Sequence, residues 1–278
     1  LGNKFLAHIR ETNAIAQVTR CFDDDNIVHV SGKVDPLSDI EVINTELCLA
    51  DQESIDKALL KAQKAGRSGD KLALKQQALL ERIYAHLDQG SPVRSMQLNE
   101  EDRLQIQDLQ LLTLKPMLYI ANVEEAGIET NKWIVKLKEL AEREGSSVIP
   151  VCAAIESEIA ELDESEKKEF LTELGLAEPG LNRIIRAGYK LLGLQTYFTA
   201  GPKELRAWTI KIGDTAPQSA GKIHTDFEHG FIRAEVIAYD DYVAYKGEAG
   251  AKDAGKWRLE GKEYVVQDGD VMLFRFNV

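Results

Sequence analysis

The sequence predicts an α/β chain in three parts: a parallel sheet flanked by helices, a long helical hairpin inserted into it, and a smaller α+β module at the C-terminal end. Three observations carry this expectation. Short apolar runs around Ala14–Phe22, Met117–Ala121 and Val148–Cys152 have the character of strands buried on both faces, and each ends in a polar or small-residue loop. Between the first two runs, residues 37–111 carry helical spacing. After Gly193 the pattern changes to short strands around one main helix.

In chain order, Lys4 to Glu11 reads as a helix with Phe5, Leu6 and Ile9 on one side. The strand Ala14 to Phe22 leads into the acidic loop Asp23-Asp24-Asp25-Asn26 and then Ile27-Val28-His29-Val30. Three adjacent Asp residues raise the question of a divalent cation. Side chains adjacent in sequence rarely converge on one ion, so a solvated loop is the preferred reading and no metal site is expected. Ser38-Asp39-Ile40-Glu41 has the form of a capping box. Apolar residues then recur at helical spacing from Ile40 to Ala62, break at Gly66-Arg67-Ser68-Gly69, and resume from Leu72 to Leu87. Two long helices around a Gly/Ser turn make an antiparallel arm, with a mixed Lys/Glu surface that reads as a coiled-coil spacer. A short helix capped by Asn99, running through Leu104 to Leu109, returns the chain to the sheet.

Met117 to Ala121 is the clearest central strand. It opens into Asn122, with Glu125 three positions on, in a turn ending at Gly127. An amide and a carboxylate at that spacing can address the edge of a planar heterocycle, and loops at the carboxyl ends of such strands are where ligands bind. The plainer alternative is a turn Asn beside a solvated Glu. A helix from Lys132 to Glu144 is stopped by Gly145. Val148 to Cys152 forms the third strand and ends in Ala153 and Ala154. Helices follow near Glu166 to Leu174 and from Pro179 to Leu192. The final module reads as strands at Tyr197–Gly201, Ala207–Ile212, Phe231–Ala238, Tyr264–Val266 and Val271–Phe276, with a short helix over Gly221–His229 and partly helical structure over Asp240–Ala254. A four- or five-stranded sheet holding one helix is expected.

Composition limits function. The chain has 278 residues, a net charge of -12 and a pI of about 5.0, which excludes a general nucleic-acid coat. Cys21, Cys48 and Cys152 are far apart and not in metal spacing, and no CxxC supports a redox enzyme. No apolar run has the length of a membrane span and no signal peptide is visible, so a soluble, cytoplasmic chain is expected. No GxxxxGK[ST] occurs, so the strand-end loops lack a phosphate cradle.

The segments LGNKFLAHIRE, VTRCF with NIVHVSGKVDP, KPMLYIANVEEAG, VIPVCAAIE, EPGLNRIIRAGYKLLGLQTYFTAG and GKIHTDFEHGFIRAEV make the pattern specific. In these, taken in order, the chain resembles the YchF/Obg-like ATPase family of TRAFAC-class P-loop NTPases over its whole length. The resemblance implies an incomplete P-loop NTPase-type sheet (1–36 and 112–193), a coiled-coil arm (37–111) and a C-terminal TGS domain of β-grasp type (194–278). It places the P-loop and both switches before Leu1, together with the Mg²⁺ ligands, so the chain alone is expected to bind nucleotide poorly and hydrolyse essentially none. It implies ATP as the nucleotide. Asn122 would address adenine, Val123 would pack on its ring, and Glu125 stands where GTP-specific relatives carry an Asp. The backbone of Cys152, Ala153 and Ala154 would face the base. His29 matches a family histidine in a mobile loop and would orient the attacking water, the alternative being a surface His with no role. The implied partner is the ribosome or ribosomal RNA, met through Lys211, Lys222, His224 and Arg233 of the TGS segment, with no membrane or DNA role. A non-catalytic RNA or ribosome adaptor is the competing reading.

Overall fold

The computed structural model describes residues 2–67, 69–125, 131–201 and 204–277. The chain divides into two compact units, residues 1–191 and 192–278. Gly127 and Ser68, which belong to two of the expected turns, lie outside the described residues.

The first unit is built on three parallel strands, β1 (Ile15–Arg20), β2 (Met117–Asn122) and β3 (Ser147–Val151), in the order β1-β2-β3. Register aligns their carboxyl ends: Arg20 lies beside Asn122, and Asn122 beside Val151. The helices are α1 (Asn3–Glu11), α2 (Pro36–Gly66), α3 (Lys71–Asp88), α4 (Glu100–Ile106), α5 (Lys132–Arg143), α6 (Ala153–Glu161), α7 (Glu164–Glu173) and α8 (Gly180–Leu192). Met117, Tyr119, Ala121 and Val123 point into a core shared with Ile40 and Leu47 of α2 and Ile134 and Leu137 of α5. Leu118 and Ile120 point the other way, onto Ile184, Ala187 and Leu191 of α8. Both faces of β2 are thus covered, which is why its sequence is apolar without alternation.

The arm is the pair α2 and α3, joined along a seam of Cys48, Ile55 and Ala62 against Leu79, Leu80 and Ile83. Its start corrects one expectation. The Ser38–Glu41 box does not cap it; Asp35 does, accepting from the Ser38 N–H at 3.3 Å, with Pro36 opening the first turn. Proline has a fixed φ and no N–H to satisfy, so it starts a helix at no loss, ahead of the serine. Asn99 caps α4 as expected, its side chain accepting from the Asp102 N–H at 2.7 Å.

Two buried polar clusters fasten the arm to the sheet. The Asp51 carboxylate, fully buried, accepts from the N–H groups of Leu112 (2.9 Å) and Thr113 (2.7 Å), the Thr113 hydroxyl (2.8 Å) and Arg10 (3.3 Å). Burial raises its pKa, and these donors act against the rise. Arg94 donates to Glu144 of the α5 C-cap (2.9 Å), to the side-chain oxygen of Asn44 on α2 (2.8 Å) and to the Tyr119 hydroxyl (3.3 Å). Tyr119 in turn donates to Glu144 at 2.8 Å, so arm, central strand and α5 meet at one guanidinium.

Beyond β3 the sequence reading misses a helix. Ala153 and Ala154 are the first turn of α6 rather than loop, with Cys152 at its N-cap. Without a Ser, Thr, Asp or Asn at that position the helix start carries no capping signal. The next helix, α7, begins at Glu164 under a capping box of Asp163 and Glu166.

The second unit holds β4 (Leu194–Ala200), β5 (Leu205–Lys211), β6 (Phe231–Ile237), β7 (Arg258–Glu260) and β8 (Val271–Phe276), in the order β5-β4-β8-β6-β7. Its core gathers Tyr197, Ile210, Ala234, Val236 and Phe274 under α9 (Ala216–Gly221) and α10 (Thr225–His229). The short helix expected over Gly221–His229 starts later, as α10 at Thr225, because His224 is extended and caps it, its Nδ1 accepting from the Asp226 N–H at 3.2 Å; α9, which ends at Gly221, was not expected. Two further short helices are α11 (Tyr239–Ala244) and α12 (Glu248–Asp253). Tyr264–Val266 is not a strand; Val265 forms a single bridge to Thr215, and β7 takes the edge place. Among the described residues no helix is long and apolar enough to cross a membrane.

Candidate functional site

The aligned carboxyl ends of the three strands open onto a cleft of about 490 Å³, the size of a small-molecule site. Asn122, Val123, Glu125, Cys152, Ala153 and Ala154 all line it, so the structure brings the six candidate base-recognition residues together. Asn122 is fixed from two sides. Its carbonyl accepts from the Cys21 N–H at 2.7 Å, and its side-chain oxygen accepts from the Ala153 N–H at 3.1 Å. With that oxygen committed, the side-chain NH₂ remains as the donor, and the exposed Glu124 and Glu125 line the same cleft. A rigid donor beside acceptors is suited to the edge of a heterocycle that offers both.

Val123 departs from the expectation that it packs on a bound ring. Its side chain is 2% exposed and belongs to the sheet core, because it continues the same-face series of Tyr119 and Ala121. Its N–H donates to the Val151 carbonyl at 2.8 Å, which holds the two strand-end loops together. The apolar walls come instead from Phe22, Ile27, Ile155, Phe170 and Leu174. Sequence reading missed these five. Phe22 ended a predicted strand and was the one with a usable signal; Phe170 and Leu174 reach the cleft only through the turn between α6 and α7.

The walls are themselves braced. Arg20 donates to the carbonyls of Phe22 (3.1 Å), Ile27 (2.8 Å) and Asp24 (3.2 Å), and its guanidinium lies 4.8 Å from the Phe22 ring centroid. Asn131 caps α5 and donates to the Cys21 carbonyl at 2.6 Å. On the far side Glu156 of α6 accepts from the N–H groups of Gly180 (2.6 Å) and Leu181 (3.0 Å), tying α6 to the start of α8.

His29 is held elsewhere. Its Nε2 lies 3.0 Å from Asp39 and its Nδ1 2.8 Å from the Ser31 hydroxyl, and it does not line the cleft. Cys21 and Cys48 are poor nucleophiles: burial pushes the Cys21 thiol up to about 12 and that of Cys48 up to about 11. The four candidate RNA-contact residues are dispersed. Register puts Lys211, opposite Leu194, and Arg233, opposite Arg275, at opposite ends of the second sheet, while Lys222 and His224 flank the helices on its core side. They do not form one basic face.

The charged rim of the cleft is Asp24, Glu124, Glu125 and Glu158, with no Lys or Arg among the described lining residues. Nor does any group of three or more His, Cys, Asp or Glu among the described residues have the arrangement of a metal site. This lining fits a base, and it does not fit a triphosphate or its Mg²⁺.

Comparison with known proteins agrees with this layout. The family model YchF-GTPase_C, described as "Protein of unknown function (DUF933)", matches residues 194–277. The "Ribosome-binding ATPase YchF" of Pasteurella multocida is 63% identical over 278 residues, covering all of this chain and 77% of that protein. The chain belongs to the YchF family. The Bacillus subtilis YchF of the same description is 55% identical over 281 residues, again with 77% of that protein covered. The solved structure of the Schizosaccharomyces pombe YchF GTPase matches with a TM-score of 0.85 at 38% identity, covering 99% of this chain and 75% of that one. The fold is accordingly that of YchF proteins, a P-loop NTPase-type sheet with a TGS-like second unit.

Proposed function

We propose that this chain carries the base-recognising half of the nucleotide site of a ribosome-associated ATPase, organised as sheet (1–36 and 112–193), arm (37–111) and TGS domain (194–278). The observation that carries the reading is the Asn122–Ala153 hydrogen bond, which commits the Asn122 side-chain oxygen and leaves its NH₂ as the donor, in a cleft that Glu125 also lines. Adenine offers an acceptor nitrogen next to its exocyclic amine, so the amide donates to the first while the carboxylate accepts from the second. The backbone at Cys152, Ala153 and Ala154 closes the site from the α6 side, and Phe22, Ile27 and Ile155 supply apolar contact. Guanine offers two donors to an acid here, and Glu125 is one methylene longer than the Asp that suits that pairing, so the preference is for ATP. An acidic rim without Lys or Arg supports phosphates held by groups other than those lining this cleft, and His29, tethered to Asp39, would need to leave that contact to act on a nucleotide. The relatives named ribosome-binding ATPases support both the ribosomal partner and a cytoplasmic location.

The test is a titration of the isotope-labelled chain with adenosine and with guanosine, followed by backbone NMR. Adenosine is expected to shift the amides of Asn122, Glu125 and Ala153 at millimolar concentration, guanosine to do so more weakly, and Asn122→Ala to abolish the response. Equal responses to both nucleosides, or an unchanged response in the variant, would sink the assignment. The acidic rim also favours a second reading, a non-catalytic adaptor; ribosome co-sedimentation that is indifferent to added ATP supports it.

A further inference from the structure

The chain is acidic overall, yet its charge is sharply segregated along the arm. Residues 35–56, from the arm root to its middle, hold seven Asp or Glu and no Lys or Arg. Residues 57–75, around the tip, hold six Lys or Arg and the single acid Asp70. Asp70 is already engaged as the N-cap of α3, accepting from the N–H groups of Leu72 and Ala73. Lys57, Lys61, Lys64, Arg67 and Lys71 are all exposed, and no carboxylate among the described residues pairs with any of them. Lys75, the sixth, is paired with Glu101 at 2.5 Å.

These cations are placed deliberately in helical terms. Lys57, Lys61 and Lys64 follow at i, i+4 and i+7 on the side of α2 away from the seam residues Ile55 and Ala62. Arg67 and Lys71 continue the charge over the turn into α3. The last acid of that stretch is Asp56, and the end of α2 at Gly66 lies ten residues, or about 15 Å, beyond it, about two Debye lengths of about 8 Å. At physiological salt the repulsion from the root is therefore screened at the tip, and a polyanion meets the local positive charge.

We infer that the tip of the arm, Lys57 to Lys71, is a docking site for the phosphodiester backbone of RNA. Protein interfaces are depleted in Lys and enriched in aromatic residues, whereas this tip has four unpaired Lys and no aromatic residue between positions 57 and 75. The same lack of aromatics removes base stacking, so the contact reads phosphates and not sequence. Exposed Leu60, Leu72 and Leu74 are the competing feature, through which a protein partner would be met. The inference rests on the ribosome-associated reading for its biological RNA, although binding by the tip is measurable without it.

The experiment compares the chain with a variant carrying K57A, K61A, K64A, R67A and K71A, with helix content checked by circular dichroism; alanine favours helix, so the arm is expected to persist. Binding to a fluorescein-labelled ribosomal RNA hairpin is followed by anisotropy across a salt series, and ribosome co-sedimentation is run in parallel. The variant is expected to lose at least tenfold in RNA affinity, and the slope of log affinity against log salt is expected to fall by about 3–4. Unchanged affinity and slope overturn the inference, as does loss of binding in L60S/L72S/L74S with the five-cation variant unaffected. If the unaltered chain fails to sediment with ribosomes but binds the hairpin through the tip, the ribosomal reading fails and the tip assignment stands. If both chains sediment equally and bind the hairpin equally, the ribosomal reading stands and the tip assignment falls.

Discussion

At Arg94 one guanidinium serves Glu144, Asn44 and Tyr119, and it and Glu144 are about 5% and 7% exposed. A buried carboxylate left without its cation is among the most damaging single changes available to a protein. Arg94→Ala is therefore expected to cost about 3–5 kcal/mol, read as a lowered urea midpoint, whereas Tyr119→Phe, which removes one hydrogen bond to the same carboxylate, costs about 1 kcal/mol. In the second unit Glu235 accepts from Arg275 Nε at 2.8 Å, and that hydrogen bond holds its pKa below the ordinary value. A depressed carboxylate stabilises the fold above its unfolded pKa of about 4.3, and the contribution disappears as pH falls through the folded value. Melting temperature measured from pH 7 down to pH 3 should fall below about pH 4.5, and Glu235→Gln should flatten that part of the profile while lowering the neutral-pH value. A variant profile as steep as the original would assign the acid lability to another group.

Elements differ in how openly the sequence announces them. Strand β2, arm helices α2 and α3 and the Asn99 cap were legible because burial on two faces, helical spacing and a polar cap leave direct marks in residue type. Helix α6 was not, because Cys152 at its start is no cap, and β7 was not, because a three-residue edge strand is too short for a pattern. Val123 was misjudged for a related reason: its face follows from counting along β2, and the strand's uniform apolarity conceals the count. The α6–α8 junction depends on a contact that spans 24 residues, invisible to local reading. A Cβ at Gly180 would stand 2.7 Å from Glu156 Oε1 and 2.8 Å from Val151 Cγ1. Gly180→Ala is expected to lower stability by about 1–3 kcal/mol in urea titration, despite the better helix propensity of alanine. An unchanged midpoint would mean that Glu156 moves aside freely.

Across the whole molecule, the order of parts was readable and the clefts were not. Sheet, arm and α+β module each have a compositional grammar of their own, and the two compact units divide near the position where that grammar changes, after Leu191. The five apolar walls of the cleft come from three separate stretches, and only the closed fold brings them to Asn122. The Arg94 cluster has one further consequence. It pins α2 at Asn44, close to the root of a helix that runs on to Gly66 without an internal proline. Such an arm behaves as a rigid pointer with its pivot against the central strand: with about 33 Å from Asn44 to Gly66, each degree of rotation at the pivot sweeps the tip through about 0.6 Å. A shift too small to notice beside Tyr119 becomes, at Lys64, a displacement on the scale of a hydrogen bond.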